Sequence, residues 1–375
     1  MKKSPLQTRV STEIIKKENT VEYMYMNIDI LNSSQGQNFF YQCPEIRYTE
    51  NLIDAVLENA NNYKMFIVRF DYDNGMLLPI WSPEIVDNQS NVNLCTESIT
   101  LSVVHDSVTY TQTTNMIYEP ETTAILFSNA GLFNDSQNYY YVYTYSHVVY
   151  LFNQMLQNCF NSLQQQIGDT FTFTASCPFI SYDPNSSLFS LYFDDSIGAE
   201  QFNVKFDANL YQMFYSFYFR NNNELVINDN NGLNNITIGS KSWIKITQDF
   251  ISTSTWSPIQ SIVFTTDRMP IISEQNTQPL TFSDNNLDQD TTMYQKYKKI
   301  ITDIALAVDK SSDYRGLIPY APNFPRYINF DSSEPLKVID ISLFWKDKNS
   351  GNLIPARIPN GGNVSLKLCF QRIIN

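Results

Sequence analysis

Two histidines, His105 and His147, are the only imidazoles in the 375 residues. A histidine-rich metal site is therefore excluded, and acid–base chemistry near neutral pH has few candidate groups. His105 stands in the turn His105-Asp106-Ser107 and reads as solvated. His147 opens a helical stretch and reads as structural. Neither adjoins a nucleophile in the sequence, and a triad is recognised only by geometry. There is no G-x-x-x-x-G-K-[ST], no G-x-G-x-x-G after a strand and no H-E-x-x-H. Two acidic turns, Asp71-Tyr72-Asp73-Asn74-Gly75 and Asn228-Asp229-Asn230-Asn231-Gly232, supply oxygens. Calcium needs six to eight of them, and an EF-hand loop closes on a glutamate that both turns lack. Hairpin turns are the simpler reading. The five cysteines, Cys43, Cys95, Cys159, Cys177 and Cys369, are widely spaced and contain no C-x-x-C, which points to free thiols rather than a disulfide framework or zinc site. No catalytic, cofactor-binding or metal-binding residue is assigned, and no cofactor is expected. A glycosidase needs only two carboxylates and no motif, so a β-sandwich hydrolase remains an open reading with no residue attached.

The run Tyr139-Tyr140-Tyr141-Val142-Tyr143-Thr144-Tyr145 has three readings: a core strand packing rings on both faces, a carbohydrate-binding platform, or an interface. Tyr suits surfaces that are apolar on one side and wet on the other. Core plus subunit interface is preferred, with Tyr139, Tyr140 and Tyr141 as interface candidates.

These residues need elements to hold them. Residues 21–31 alternate and predict a strand; Leu52, Ile53, Val56, Leu57 and Ala60 fall on a helical stripe. A strand is predicted over 64–72, and 94–104 with 108–118 forms a hairpin. The spacing of Val148, Phe152, Met155, Leu156, Cys159 and Leu163 predicts a helix over 147–166, the longest, and a short one is expected at 209–218. Strands follow at 171–182, 187–193, 234–239, 243–248, 259–266, 326–330, 336–346 and 364–372, while 280–292 reads as a polar loop. In the 336–346 strand, Ile339, Ile341, Leu343 and Trp345 share one face and form the expected structural core. Few helices and many short antiparallel strands predict an all-β sandwich with a few helical insertions.

Composition fits that class. Hydrophobic residues make up 43% of the chain, charged ones only 17%, and the 40 Asn suit a fold with many turns. The net charge of −13 is uneven. Residues 1–20 carry five bases (Lys2, Lys3, Arg9, Lys16, Lys17) and two acids, a net of +3. Residues 313–375 are also +3, so 21–312 holds −19. The first 20 residues read as an extended arm outside the body, and its bases are candidates for contacts in assembly. Residues 21–375 read as the body, with a weak division into two β-rich lobes near 170–200. No signal peptide and no run of about 18 apolar residues is found.

A family resemblance appears toward the C-terminus. It rests on Trp256-Ser257-Pro258-Ile259-Gln260-Ser261-Ile262-Val263-Phe264, Met269-Pro270-Ile271-Ile272, Ile301-Thr302-Asp303, Tyr314-Arg315, Tyr320-Ala321-Pro322, Ile339 to Asp347, and Leu366-Lys367-Leu368-Cys369-Phe370. Earlier, 139–153 and Leu210-Tyr211-Gln212-Met213-Phe214 contribute. This pattern resembles the minor capsid, penton-like proteins of virophages and polinton-like viruses of protists. The resemblance implies a jelly roll and a place in the virion at a five-fold vertex; the missing motifs and the two isolated histidines give the expectation of no enzymatic activity. The implied partners are copies of itself in a pentamer and a major capsid protein; packaged DNA is the lesser candidate for the basic arm, whose three net charges give a small counterion-release term. A surface attachment or carbohydrate-binding module is the alternative reading.

Overall fold

The computed structural model describes residues 6–15, 22–33, 44–75, 77–87, 93–120, 140–168, 174–196, 201–217, 224–227, 234–273, 280–283, 293–306 and 316–373. The chain divides into two compact units. Residues 1–78 and 258–375 form unit 1, and residues 79–257 form unit 2 as an insertion within it.

Unit 1 begins with β1 (Leu6–Ile15), β2 (Tyr23–Asn32), β3 (Arg47–Asn51) and β4 (Tyr63–Asp73). β1 pairs antiparallel with β2 over ten residues, from Leu6 opposite Asn32 to Ile15 opposite Tyr23. The expected separate arm is thus corrected: half of it is a strand of the body. Its β-branched residues Val10, Thr12, Ile14 and Ile15 suit a strand, a signal hidden by the polar residues between them. The expected helix over 52–60 is also absent. The backbone there bonds outward, Leu52 N to Lys337 O and Val56 N to Leu336 O, both at 2.8 Å. These long-range pairings override a short helical stripe, and only a 3₁₀ turn at Ala60–Asn62 remains.

Unit 2 contains β5 (Ile85–Asp87), β6 (Leu94–His105), β7 (Val108–Ile117), α1 (Tyr145–Ile167), β8 (Phe179–Asp183), β9 (Leu188–Asp194), β10 (Gln201–Phe206), α2 (Ala208–Phe214), β11 (Glu224–Ile227), β12 (Asn234–Ile238) and β13 (Lys241–Thr247). The β6–β7 hairpin turns on Asp106 and Ser107, both at positive φ (48° and 66°), as a two-residue hairpin loop requires. One sheet runs β11-β10-β6-β5 with β7 also on β6; a second runs β12-β13-β9-β8. The expected lobe boundary near 170–200 falls inside this unit, because β8, β9 and β10 pair only with its strands.

α1 is capped at its N-terminus by Thr144, whose hydroxyl accepts from His147 N at 3.2 Å. At its other end Gly168 takes a left-handed φ of 56°. Its apolar stripe, from Val148 to Leu163, is buried with residues of β6, β8, β9 and β10 in one aromatic-rich core. Phe214 of α2 sits 5.2 Å from both the Phe152 and Trp256 rings in edge-on contacts.

Unit 1 resumes with β14 (Ile259–Thr266), β15 (Leu280–Ser283), β16 (Met293–Lys296), β17 (Lys299–Ala305), β18 (Leu317–Tyr320), β19 (Ile328–Asn329), β20 (Val338–Asp347), β21 (Leu353–Pro355) and β22 (Asn363–Arg372). The expected loop over 280–292 instead begins as a strand, because β15 pairs with β16. Two larger sheets result. One is ordered β1-β2-β22-β4-β18, with β19 also on β4; the other is β17-β14-β20-β21, with β3 also on β20. They pack face to face: Phe70 of β4 meets Phe264 of β14 edge-on at 4.9 Å. Beside this contact is a void of about 20 Å³, about the size of one water and lined almost entirely by apolar side chains. Every named strand pairing is antiparallel, the arrangement expected of a jelly-roll sandwich. No helix among the described residues is long and apolar enough to cross a membrane.

Candidate functional site

Among the described residues, the two histidines lie on different elements, His105 at the β6–β7 hairpin and His147 at the start of α1. His147 is 4% exposed, with Nε2 2.7 Å from the Glu119 carbonyl. His105 lies 3.5 Å from Asp106 at the hairpin tip. Cys95, Cys159, Cys177 and Cys369 are free thiols, and burial pushes Cys369 up to about 11, which keeps it from nucleophilic use. Among the described residues no three His, Cys, Asp or Glu gather in a metal-holding group. The Asp71–Gly75 turn ends β4, where Asp71 pairs with Arg69 at 3.1 Å. A Cβ on Gly75 would meet Pro359 at 2.6 Å, and its φ is +50°, so this turn needs glycine for packing reasons. The Asn228–Gly232 turn and Cys43 lie outside the described residues.

The tyrosine run is packed inward. Tyr141 is 1% exposed and Tyr143 3% exposed, and Val142 bridges Trp81. Tyr140 is half-buried, its ring 5.0 Å from Tyr118. Tyr139 lies outside the described residues. The interface expectation is therefore corrected for Tyr141, whose ring is interior to its own unit and offers no surface to a neighbour. Among the arm candidates, Lys2, Lys3, Lys16 and Lys17 lie outside the described residues, and Arg9 occupies the register position opposite Asp29 on β1–β2. In β20, Ile339, Ile341, Leu343 and Trp345 are 0–5% exposed, and the opposite face carries Phe344 at 2%. The strand is buried on both faces.

One buried group escaped sequence reading. Glu97 lies where the β6–β7 pairing breaks register between Leu94 and Ser98. It is 5% exposed, and its Oε2 has no hydrogen-bond partner among the described residues. Burial raises its pKa to about 7, with the charges of Asp207 and Glu84 adding to the rise. Below pH 4.5 the group is protonated folded or unfolded. As pH rises from 4.5 toward 7 the unfolded chain releases this proton first, so stability falls, and above 7 the loss is constant. Glu97→Gln is therefore expected to match wild type near pH 4 and to exceed it by up to about 3 kcal/mol at pH 8. Parallel thermal melts across that range check this; an equal pH dependence in both proteins would show Glu97 to be solvated.

What the fold offers outward is surface. Assigning the sequence to the two units places 16 acids and 4 bases in unit 2, a net of −12, and 22 acids and 21 bases in unit 1, a net of −1. The acidic middle of the chain is thus mainly one unit. On unit 1, the loop between β18 and β19 displays Phe324 at 82% exposure. Next to it, Tyr327 packs edge-on against Phe66 at 5.2 Å, with Lys64 Nζ 3.7 Å over its ring. Arg326 Nη1 donates to both the carbonyl and Oδ1 of Asp303 at 2.8 Å. The loop after β3 displays Ile53 at 94% exposure.

Solved structures share this fold. A chain of the Sputnik virophage, from its 3.5 Å cryo-EM structure, aligns over 97% of this chain and 98% of its own, with 18% identity and a TM-score of 0.67. The mavirus penton protein aligns over 94% of this chain and 99% of its own, with 15% identity and a TM-score of 0.61. No curated protein matches in sequence. The model of the Sputnik minor capsid protein V18/19 family matches residues 24–372. With nearly its whole length matched, the chain belongs to the Sputnik minor capsid protein V18/19 family and is a structural capsid protein.

Proposed function

We propose that this protein is the vertex subunit of an icosahedral shell, a penton that self-associates as a ring, contacts a major capsid protein and carries no catalytic activity of its own. The observation that supports this most is the alignment with the mavirus penton protein over 94% of the chain. The distribution of chemistry agrees. His147 and three of the four described cysteines are buried, while large apolar residues such as Ile53 and Phe324 are exposed on loops. Closed shells need such repeated surfaces. Unit 2, at −12, repels polyanions, which favours protein over packaged DNA as the neighbour. Electron cryo-microscopy of virions carrying a tagged chain tests the reading. Extra density at the five-fold vertices is expected, and density at other positions would overturn it.

The basic N-terminal segment is assigned to assembly in the same reading. Deleting residues 1–20 removes β1, yet β2 keeps its pairing with β22 on the other side. The truncated protein is therefore expected to fold, with a modest loss of melting temperature, while its incorporation into shells falls. Wild-type incorporation would make the segment a passive edge strand. Failure to fold would make β1 essential to the sandwich.

A further inference from the structure

The end of α2 and the loop after β13 bring two exposed rings together on unit 2. Tyr215, just after α2, is 40% exposed and Phe250 is 50% exposed. Their centroids lie 5.4 Å apart with the planes at 63°, so the rings form an open corner rather than a stack. Single exposed apolar side chains are common on protein surfaces and mean little. This pair differs in the framework that carries it. Asp249 N donates to Ser216 O at 2.9 Å, which ties the two segments together beside the rings. In the same loop Gln248, 2% exposed, accepts from Phe189 N at 3.0 Å and donates to Ser252 Oγ at 2.9 Å. The Ser252 hydroxyl and Trp256 Nε1 both donate to Met213 O, at 2.6 and 2.9 Å. A buried polar network thus fixes the backbone under both rings, and little freedom remains to be lost when a ligand docks on them.

The rim of the corner is polar. Gln212, exposed one turn before Tyr215, supplies an amide, and exposed Asp249 supplies a carboxylate. Residues 208–217 and 248–256 contain no Lys or Arg, and unit 2 as a whole carries −12. An anionic ligand finds no counter-charge in these segments and is repelled at a distance. Two half-exposed rings also offer far less area than a stable protein contact needs, about 800 Å² per partner. A pyranose fits what remains. With its hydroxyls equatorial, it turns a flat face of polarised C–H bonds toward an aromatic ring, whose own face is negative. Its hydroxyls then lie at the edge, where a carboxylate accepts from them more strongly than a neutral group does.

We propose that the Tyr215–Phe250 corner binds a neutral glycan, one sugar ring stacking on an aromatic face while its hydroxyls bond to Asp249 and Gln212. The ligand class is an uncharged oligosaccharide of hexoses with equatorial hydroxyls, such as β-linked glucose or N-acetylglucosamine. This binding is added to the capsid role and does not rest on the vertex reading, because every residue it uses lies within unit 2.

A glycan array carrying cello-, laminari- and chito-oligosaccharides beside sialylated and sulfated glycans, probed with the full chain, tests it. Retention on at least one neutral series is expected, with none on the acidic glycans. Tyr215→Ala and Phe250→Ala should each weaken binding of the retained oligosaccharide by about 10-fold or more, as loss of a stacking ring does. Asp249→Asn should weaken it by a smaller factor, since its amide oxygen still accepts but carries no charge. Melting temperatures of the ring variants should stay at the wild-type value, because both side chains are exposed. A wild type that retains no neutral glycan, or retains only acidic ones, would overturn the site. So would ring variants that bind sugar like wild type. Ring variants that change the sedimentation of the protein while leaving glycan retention intact would make the corner a protein contact instead. The position of a tagged chain in virions bears on the vertex reading alone, so the two can fail separately.

Discussion

Trp345→Ala is expected to lower the stability of unit 1 by about 3–5 kcal/mol, the usual cost of truncating a large aromatic in a core. Trp345 is 4% exposed on β20, opposite Ile262 of β14 and Ile354 of β21. It shares its strand face with Ile339, Ile341 and Leu343, so the truncation would open a cavity in the middle of the sheet rather than at an edge. Urea titration followed by far-ultraviolet circular dichroism measures the loss. Trp345→Phe, which keeps a ring, should recover more than half of it. A truncated protein that unfolds at the wild-type urea midpoint would move Trp345 out of the load path of this sheet.

Asp340→Ala should be nearly as damaging, through polarity rather than volume. Asp340 lies on the opposite face of β20 and is 4% exposed. Its carboxylate accepts from the Thr266 hydroxyl at 2.5 Å and from the backbone N–H groups of Asp267 and Arg268, each at 2.9 Å. These bonds fix the turn that leaves β14. Nearby, Lys298, 3% exposed, places Nζ 3.2 Å from Asp267 Oδ2. Removing the carboxylate strands the Thr266 hydroxyl and the Asp267 N–H and leaves Arg268 N only the Thr266 Oγ1 at 3.3 Å; an unsatisfied buried donor costs about 1–3 kcal/mol. A loss of about 3 kcal/mol or more is expected, with Asp340→Asn in between because its amide oxygen still accepts. Unchanged melting in the alanine variant would mean that water replaces the carboxylate.

The parts of this fold that were legible in the sequence are those where a local period and the tertiary environment agree. The 147–166 stripe became α1 because its cap and its apolar face point the same way. Residues 336–346 showed their strand for the same reason, although alternation hid that both faces are buried. The stripe over 52–60 failed because its backbone finds partners at 332–337, which no local window contains. β1 was missed because an edge strand needs little hydrophobicity. Glu97 and Phe324 carry no local signal: burial of one and exposure of the other are set by residues far away in the chain. The resemblance to capsid proteins is legible as recurring segments, but none of those segments marks a surface, so nothing local in the tyrosine run tells that the Tyr141 ring is interior.

The insertion has a consequence for synthesis. β22, which lies between β2 and β4, ends at Arg372, 299 residues after β4 ends at Asp73. At ribosomal rates of about 5–20 residues per second, the first strands wait roughly 15–60 s for their partner. Unit 2 is contiguous and has all its strands by residue 257, so it can fold while the rest is still being made. During that interval β2 and β4 have unpaired edges, the condition in which strands aggregate. The early strands are also short of long uncharged runs: Asp29, Lys64, Arg69 and Asp71 interrupt them, as gatekeeping charges do. A nascent chain released early would therefore hold a finished unit 2 and an open unit 1.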